Sequence, residues 1–241
     1  MSTELFGQHG FQRGEFVITY YRDVEQGSEE WHALRCGILT ASEIKLILTP
    51  TLKPASNEKE RAHLYELLGQ RITCHTEPHY ISDDMLRGHE DEIEARIRYA
   101  EHYAPVTDCG FITRDMGGYM IGYSPDGIVL DDGLIECKSR RQKYQIETIL
   151  ADAVPQEHVL QCQTGLLVTG RKWLDFVSYS AGLPMFVKRV WPDLAIQDAI
   201  IESAYQFEQR LQVALAKYER MLAAMPVLID TTRTIEQEIY A

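Results

Sequence analysis

The stretch Tyr123-Ser-Pro-Asp-Gly-Ile-Val-Leu-Asp-Asp-Gly-Leu-Ile-Glu-Cys-Lys138 holds Asp126, Glu136 and Lys138, three groups that can act together. Apolar Ile128, Val129 and Leu130 run into the turn signal Asp131-Asp132-Gly133, and Leu134-Ile135 resume beyond it, so the segment reads as a β-hairpin. A three-residue loop from Asp131 to Gly133, with Gly133 at positive φ, pairs Leu130 with Leu134 and sets Asp126 opposite Lys138. Side chains alternate with period two, which puts Asp126, Glu136 and Lys138 on one face and turns Cys137 into the core. Paired carboxylates hold a hard divalent cation through oxygen, with the Cys137 carbonyl as a further ligand, and Mg²⁺ keeps water positions for a substrate phosphate or an attacking water. The lysine either stabilises charge developing on a phosphorane or, with a lowered pKa, takes part in proton transfer. The plain alternative is an ordinary hairpin with a solvated Glu/Lys pair.

A second set of residues can grip a phosphate. In Trp31-His-Ala-Leu-Arg35-Cys-Gly-Ile-Leu-Thr40-Ala-Ser42-Glu43, Thr40 and Glu43 fit a capping box, with Ser42 in the first turn of a helix through Ile44, Leu46 and Ile47. The free N–H groups and positive dipole end of such a helix favour a phosphate, which Arg35 can meet bidentately. A capped surface helix with Arg35 paired to an acid explains the same residues without a ligand. The densest basic run, Lys138-Ser-Arg140-Arg141-Gln-Lys143, begins at the candidate lysine and makes Arg140, Arg141 and Lys143 candidate DNA contacts, although basic runs are also common as solvated faces.

The elements that must position these groups follow an α/β order. Helices are expected over Ser28 to Leu34, Ala41 to Leu48, Asn57 to Gly69 and Asp83 to Tyr103, and strands near Thr107 to Arg114, Met120 to Leu130 and Leu134 to Ser139. A helix from Pro155 to Val168 ends at Gly170, and strands at Lys172 to Ser180 and Met185 to Trp191 precede a long helix within Asp193 to Met225. On the Asp83 helix, Glu90, Ile93, Ile97 and Ala100 form one side, and a Glu on a core side calls for a partner such as a metal; an exposed Glu among Asp91, Glu92 and Glu94 is the competing reading. Gln161 and Gln163 are two apart on a helix and cannot share a face. The stripe Ile200, Ala204, Phe207, Leu211, Leu215, Tyr218 and Leu222 packs on its own domain or, as second choice, on another subunit. Residues 1–24 form an N-terminal segment, weakly patterned and mobile through Gly14, 25–225 the single domain and 226–241 a tail.

Composition sets outer limits. The 241 residues suffice for one sizeable core. No apolar run approaches the roughly 20 residues of a membrane span, and the N-terminus lacks the pattern of a signal peptide. Five scattered cysteines without a Cys-x-x-Cys suggest reduced thiols in a cytosol and argue against zinc or a cysteine-held iron–sulfur cluster. A net charge of −12 opposes binding to a polyanion, so a nucleic-acid partner requires segregated basic groups.

Ser124-Pro125-Asp126-Gly127 followed by Glu136-Cys137-Lys138 resembles the signature of restriction-endonuclease-like nucleases, in the form found in the lambda exonuclease or YqaJ-like viral recombinase family. The Trp31 to Glu43 stretch is similar to that family's Trp-His-x-Leu-Arg-x-Gly-x-x-Thr-Ala-Ser motif. Gly88-His89-Glu90 is similar to its Gly-x-x-x-Glu helix motif with a contracted spacing, and Gln161-Cys162-Gln163 to its Gln-x-Gln helix. The resemblance spans roughly Glu25 to Trp191. It implies a central mixed β-sheet flanked by helices and a Mg²⁺-dependent (Mn²⁺ substituting) 5′→3′ exonuclease on double-stranded DNA. Asp126, Glu136, Cys137 and Glu90 would serve the metal and Lys138 the chemistry, with Arg35, Ser42, Ser124 and Gln163 around the 5′-phosphate and Gln161 on the DNA. It further implies a homotrimeric ring in a bacterial host cytosol, leaving a 3′ single strand for an annealing protein. Another nuclease of the same fold, acting as an endonuclease or on single strands, and a non-catalytic adaptor are the alternatives.

Overall fold

The computed structural model describes residues 17–77, 83–225, 228, 229 and 231. The segment through Gly14 lies outside the described residues, as does most of the tail. In chain order the elements are β1 (Ile18–Tyr21), α1 (Glu29–Arg35), β2 (Leu39–Thr40), α2 (Ile44–Ile47), α3 (Glu58–Thr73), α4 (Asp83–His102), β3 (Val106–Thr107), β4 (Phe111–Asp115) and β5 (Met120–Tyr123). They continue with β6 (Gly127–Val129), β7 (Gly133–Ser139), α5 (Gln142–Ala151), α6 (Gln156–Thr169), β8 (Trp173–Tyr179), β9 (Phe186–Val190) and α7 (Leu194–Ala224). The local signals explain most boundaries. Ser28 and Asn57 cap α1 and α3 by accepting from Trp31 and Glu60 N–H, and Gly170 ends α6 in the left-handed conformation.

Two mixed sheets share the core, ordered β1-β4-β5-β2 and β3-β6-β7-β8-β9. The expected strand Met120 to Leu130 is split into β5 and β6 by Ser124-Pro125-Asp126, so its two halves belong to different sheets. Because β1 pairs with β4, part of the stretch assigned to the N-terminal segment belongs to a sheet. The five-stranded sheet is covered on both faces. Ile128, Leu134, Leu174 and Phe176 join the main core, with Leu160 and Leu166 of α6. Val129, Ile135, Cys137 and Val177 meet Ala95 and Tyr99 of α4 in a second cluster. Strands β7 and β8 run parallel, and their crossover carries α5 and α6, which brings α6 back over β7.

Two expected helix faces change. Among the residues of α4 whose side chains are described, Ala95 and Tyr99 are buried, whereas Ile93 and Ile97 are each 47% exposed and Glu90 is exposed. The side expected to face the core is therefore the outer side, because small Ala95 permits close approach to the sheet and Tyr99 reaches Asp175 with its hydroxyl at 2.7 Å. On α7 the stripe is buried only through Leu211, and Tyr218 and Leu222 are exposed because the helix outruns the domain.

The turn between α1 and β2 is held from two other helices. Gly37, at φ 71°, donates its N–H to Gln70 and accepts from Arg71 Nε, both at 2.8 Å. Arg71 then pairs bidentately with the buried Glu208 of α7 at 2.7 and 2.8 Å. This clamp fixes the position of Arg35 just before the turn. Arg71→Ala strands the Glu208 carboxylate and should cost roughly 3 kcal/mol in urea unfolding. The added cost of Glu208→Ala in that background should be well below its cost alone. Simple additivity of the two losses would mean the pair is not coupled.

Candidate active site

The hairpin forms with a different register from that expected. Gly127 pairs with Ile135, Ile128 with Leu134 and Val129 with Gly133, leaving Leu130, Asp131 and Asp132 as the loop. Leu130, not Gly133, adopts positive φ, at 50°. Gly133 serves another purpose: a Cβ there would lie 2.2 Å from the Trp173 ring, so its glycine is a packing requirement. Arg171 donates to the carbonyls of Leu130 and Gly133 at 3.1 and 3.0 Å and holds the loop ends. Extended by one residue, this register sets Asp126 opposite Glu136 instead of Lys138. A shift of two keeps the face, so the expected convergence of Asp126, Glu136 and Lys138 is present.

Glu136 is the centre of the arrangement and is 1% exposed. Its Oε1 accepts from Gln161 Nε2 at 2.5 Å and pairs with Lys138 Nζ at 2.6 Å, while its Oε2 accepts from the Tyr123 hydroxyl at 2.7 Å. Asp126 Oδ2 accepts the Cys137 backbone N–H at 2.6 Å. Burial, then the charge of Glu136, pushes the Asp126 carboxyl well above the ordinary carboxylate range, with Lys138 opposing. For Lys138, burial works against its charge, but Glu136, Asp126 and Glu92 together hold the ammonium above the usual lysine range. This places Lys138 as a standing cation, not as a lysine with a lowered pKa.

The α4 acid in the site is Glu92, not Glu90. Burial raises the Glu92 carboxyl, and its charge is felt by Lys138 and Asp126. The sequence carried the signal, since Gly88-His-Glu-Asp-Glu92 has the full Gly-x-x-x-Glu spacing and Gly88-His89-Glu90 does not. Asp91, next to it, accepts from Ser139 and ties α4 to the end of β7. A cleft of about 510 Å³ opens beside Asp126 and Glu92, lined also by Arg22, His89, Arg96 and Gly110.

The chemistry of this donor set can be tested for a metal. Among the described residues no three His, Cys, Asp or Glu side chains form a ready cluster, so a cation here would rely on one or two carboxylates, carbonyl oxygen and water. Three carboxylates face one ammonium, leaving surplus negative charge in a buried place. Cys137 and Cys162 are buried nearby, but burial first, then these carboxylates, pushes both thiols up, so no thiolate competes. The set therefore suits a hard divalent cation and not a soft one.

Around Arg35 the expected grouping is only partly assembled. Arg35 Nη1 donates to Ser124 Oγ at 3.2 Å, which also accepts Trp31 Nε1 at 3.0 Å, and the guanidinium lies 4.2 Å from the Trp31 ring centroid. Burial lowers the pKa of Arg35 and the Glu43 charge opposes this. Ser42 is exposed in the following turn, 3.3 Å from Thr40 Oγ1. Glu43 reaches back to Thr40 N–H as a capping box requires, but the Thr40 hydroxyl donates to Glu43 instead of capping, and α2 shrinks to four residues starting at Ile44. The dipole argument for phosphate there falls away. Gln163 lies elsewhere: it donates to Trp191 carbonyl and accepts Asp193 N–H, both at 2.9 Å, closing the loop before α7. Its neighbour Gln161, assigned to DNA, instead meets Glu136. In the basic run, Arg140 pairs with Glu157 at 2.9 Å and Lys143 lies 4.6 Å from the Tyr144 ring centroid, while Arg141 is exposed at the start of α5.

Comparisons with known proteins agree with this architecture. The profile of the YqaJ-like viral recombinase domain matches residues 30–172. The crystal structure of an alkaline exonuclease (LHK-Exo) from Laribacter hongkongensis superposes with a TM-score of 0.72 at 34% identity, covering 82% of this chain and 99% of that one. LHK-Exo in complex with dAMP gives 0.73 at 35% identity, with the same coverage. No functionally curated protein matches. With a mixed α/β domain of the restriction-endonuclease-like type and this span of similarity, the chain belongs to the YqaJ-like viral recombinase family.

Proposed function

We propose that the chain is a metal-dependent deoxyribonuclease that digests double-stranded DNA from 5′ ends. The observation that carries this reading is the grouping of Asp126 and Lys138 around the buried Glu136, with Asp126 on the cleft, and kinship with an alkaline exonuclease supports it. Asp126 and Glu136 would hold Mg²⁺ or Mn²⁺, with the Cys137 carbonyl and, in place of Glu90, Glu92 on the cleft side. When bound, the metal supplies an activated water and a Lewis acid at the phosphate. The protein's own part is positional and electrostatic. Tyr123 and Gln161 fix the Glu136 carboxylate, and Lys138 presents an ammonium to charge that builds on the phosphate oxygens. Arg35 and Ser124 offer a positive, hydrogen-bonding corner that suits a terminal phosphate and gives the polarity. A closed ring of three copies would let an acidic protein retain its duplex by topology, delivering a 3′ strand to an annealing partner.

Lys138→Ala should lower the cleavage rate roughly 10²-fold or more with DNA affinity largely kept, because the ammonium acts on transition-state charge. Weakened binding with unchanged turnover would contradict that role. Asp126→Asn makes a thermodynamic test. The folded-state pKa of Asp126 is raised, so the carboxyl destabilises the fold in full above that pKa; the penalty shrinks as pH falls below it and is gone only below the ordinary carboxylate pKa. In metal-free buffer at pH 8 the variant should melt about 2–4 °C higher than wild type, for a gain of about 1 kcal/mol. Added Mg²⁺ should raise the wild-type Tm more than the variant's; equal Mg²⁺ shifts would remove Asp126 from the metal site. Finally, wild type should prefer 5′-phosphorylated over 5′-hydroxyl ends, and Arg35→Ala should erase about ten- to a hundredfold of that preference. Equal slowing on both ends would make Arg35 a structural residue.

A further inference from the structure

Period two along β7 carries the site face from Glu136 and Lys138 on to Arg140, just past the strand end. The Arg140 side chain is 12% exposed and turned toward α6. Its Nη1 donates to Glu157 Oε1 at 2.9 Å and to His158 Nε2 at 3.1 Å. On the other edge, Nε is buried and has no partner among the described residues. A guanidinium binds phosphate with two parallel N–H donors, and with the Nε edge closed to solvent the Nη1/Nη2 end is the one a phosphate can reach.

His158 explains how this guanidinium is kept beside Lys138. Arginine can only donate, so His158 Nε2 must accept, which places the ring proton on Nδ1. Burial first, then the charges of Lys138 and Arg140, lowers its pKa to about 4, so the ring stays neutral at working pH. The ring stacks on Phe176, centroids 5.4 Å apart, which fixes its plane. One turn further along α6, Gln161 donates to Glu136. The same helix face therefore sets both the carboxylate and the guanidinium, while Glu157, 56% exposed, is a carboxylate that an incoming phosphate can displace.

We propose that the Nη1/Nη2 end of Arg140 binds a backbone phosphate of the strand being cut, and that His158 is the positioning residue that holds Arg140 for it. This rests on the nuclease reading above. The test is fluorescence-anisotropy binding of a 5′-phosphorylated duplex, without divalent metal, across a salt series. Arg140→Ala should weaken binding about tenfold and lower the slope of log K against log salt by about one phosphate, roughly 0.7–0.9. His158→Ala should reproduce most of that loss, and His158→Gln, which keeps an uncharged acceptor, should restore affinity to within about threefold. In an Arg140→Ala background, His158→Ala should add little. Thermal melts check folding, and if His158→Ala fails to fold, the His158→Gln and Arg140→Ala results still decide. An unchanged salt slope in Arg140→Ala overturns the phosphate site. A full His158→Ala loss that persists without Arg140 overturns the positioning role. Either failure with wild type still digesting DNA leaves the nuclease reading standing, whereas a wild type that digests no DNA under any metal removes that reading itself.

Discussion

The burial of the Glu136 carboxylate is the constraint around which the molecule is organised. An ionised carboxylate at 1% exposure is tolerable only with donors on its oxygens, and three separate elements supply them. Tyr123 comes from the end of β5 in the other sheet, Gln161 from the crossover helix α6, and Lys138 from the same strand. The two sheets and the β7–β8 crossover are thus tied together at the place where chemistry is expected. A fold assembled this way holds its site rigidly, because moving any one donor exposes a buried charge.

Surplus negative charge is the second half of that organisation. Asp126, Glu136 and Glu92 crowd one ammonium, and burial first, then the charge of Glu136, raises Asp126 and Glu92. Such an arrangement costs stability in isolation, which is the pattern expected where a site is built for a cation and a polyanionic substrate instead of for the fold alone. Basic groups stand at its margins, with Arg140 on one side and Arg35 over Trp31 and beside Ser124 on another. A net charge of −12 is compatible with a nucleic-acid substrate on these terms, since what matters is the local field at the cleft.

The strand that carries the candidate site was legible because its signals are local: Asp-Gly turn chemistry, period-two alternation, and the spacing of Glu136 and Lys138. The hairpin register was not, because Gly133 answers to Trp173, a contact across the sheet that no local turn rule contains. Helix α5 went unseen because its buried positions are Gln145 and Thr148; Gln145 donates to Ser178 and Pro184 carbonyls at 3.0 and 2.8 Å, so no apolar stripe marks it. The face of α4 was misplaced because Ile93 and Ile97 look like core residues, yet Ala95 and Tyr99 pack. Only the family resemblance singles out Gln161 and Gln163, and which of the two meets the site depends on the rotation of α6, a tertiary fact.

Digestion of end-labelled linear duplex beside a covalently closed circle, with Mg²⁺ and with a chelator, tests the central claim most directly. The account predicts early release of a 5′ label with late release of a 3′ label, an intact circle, and no reaction in the chelator. Cleavage of the circle, or digestion that persists in the chelator, would contradict it.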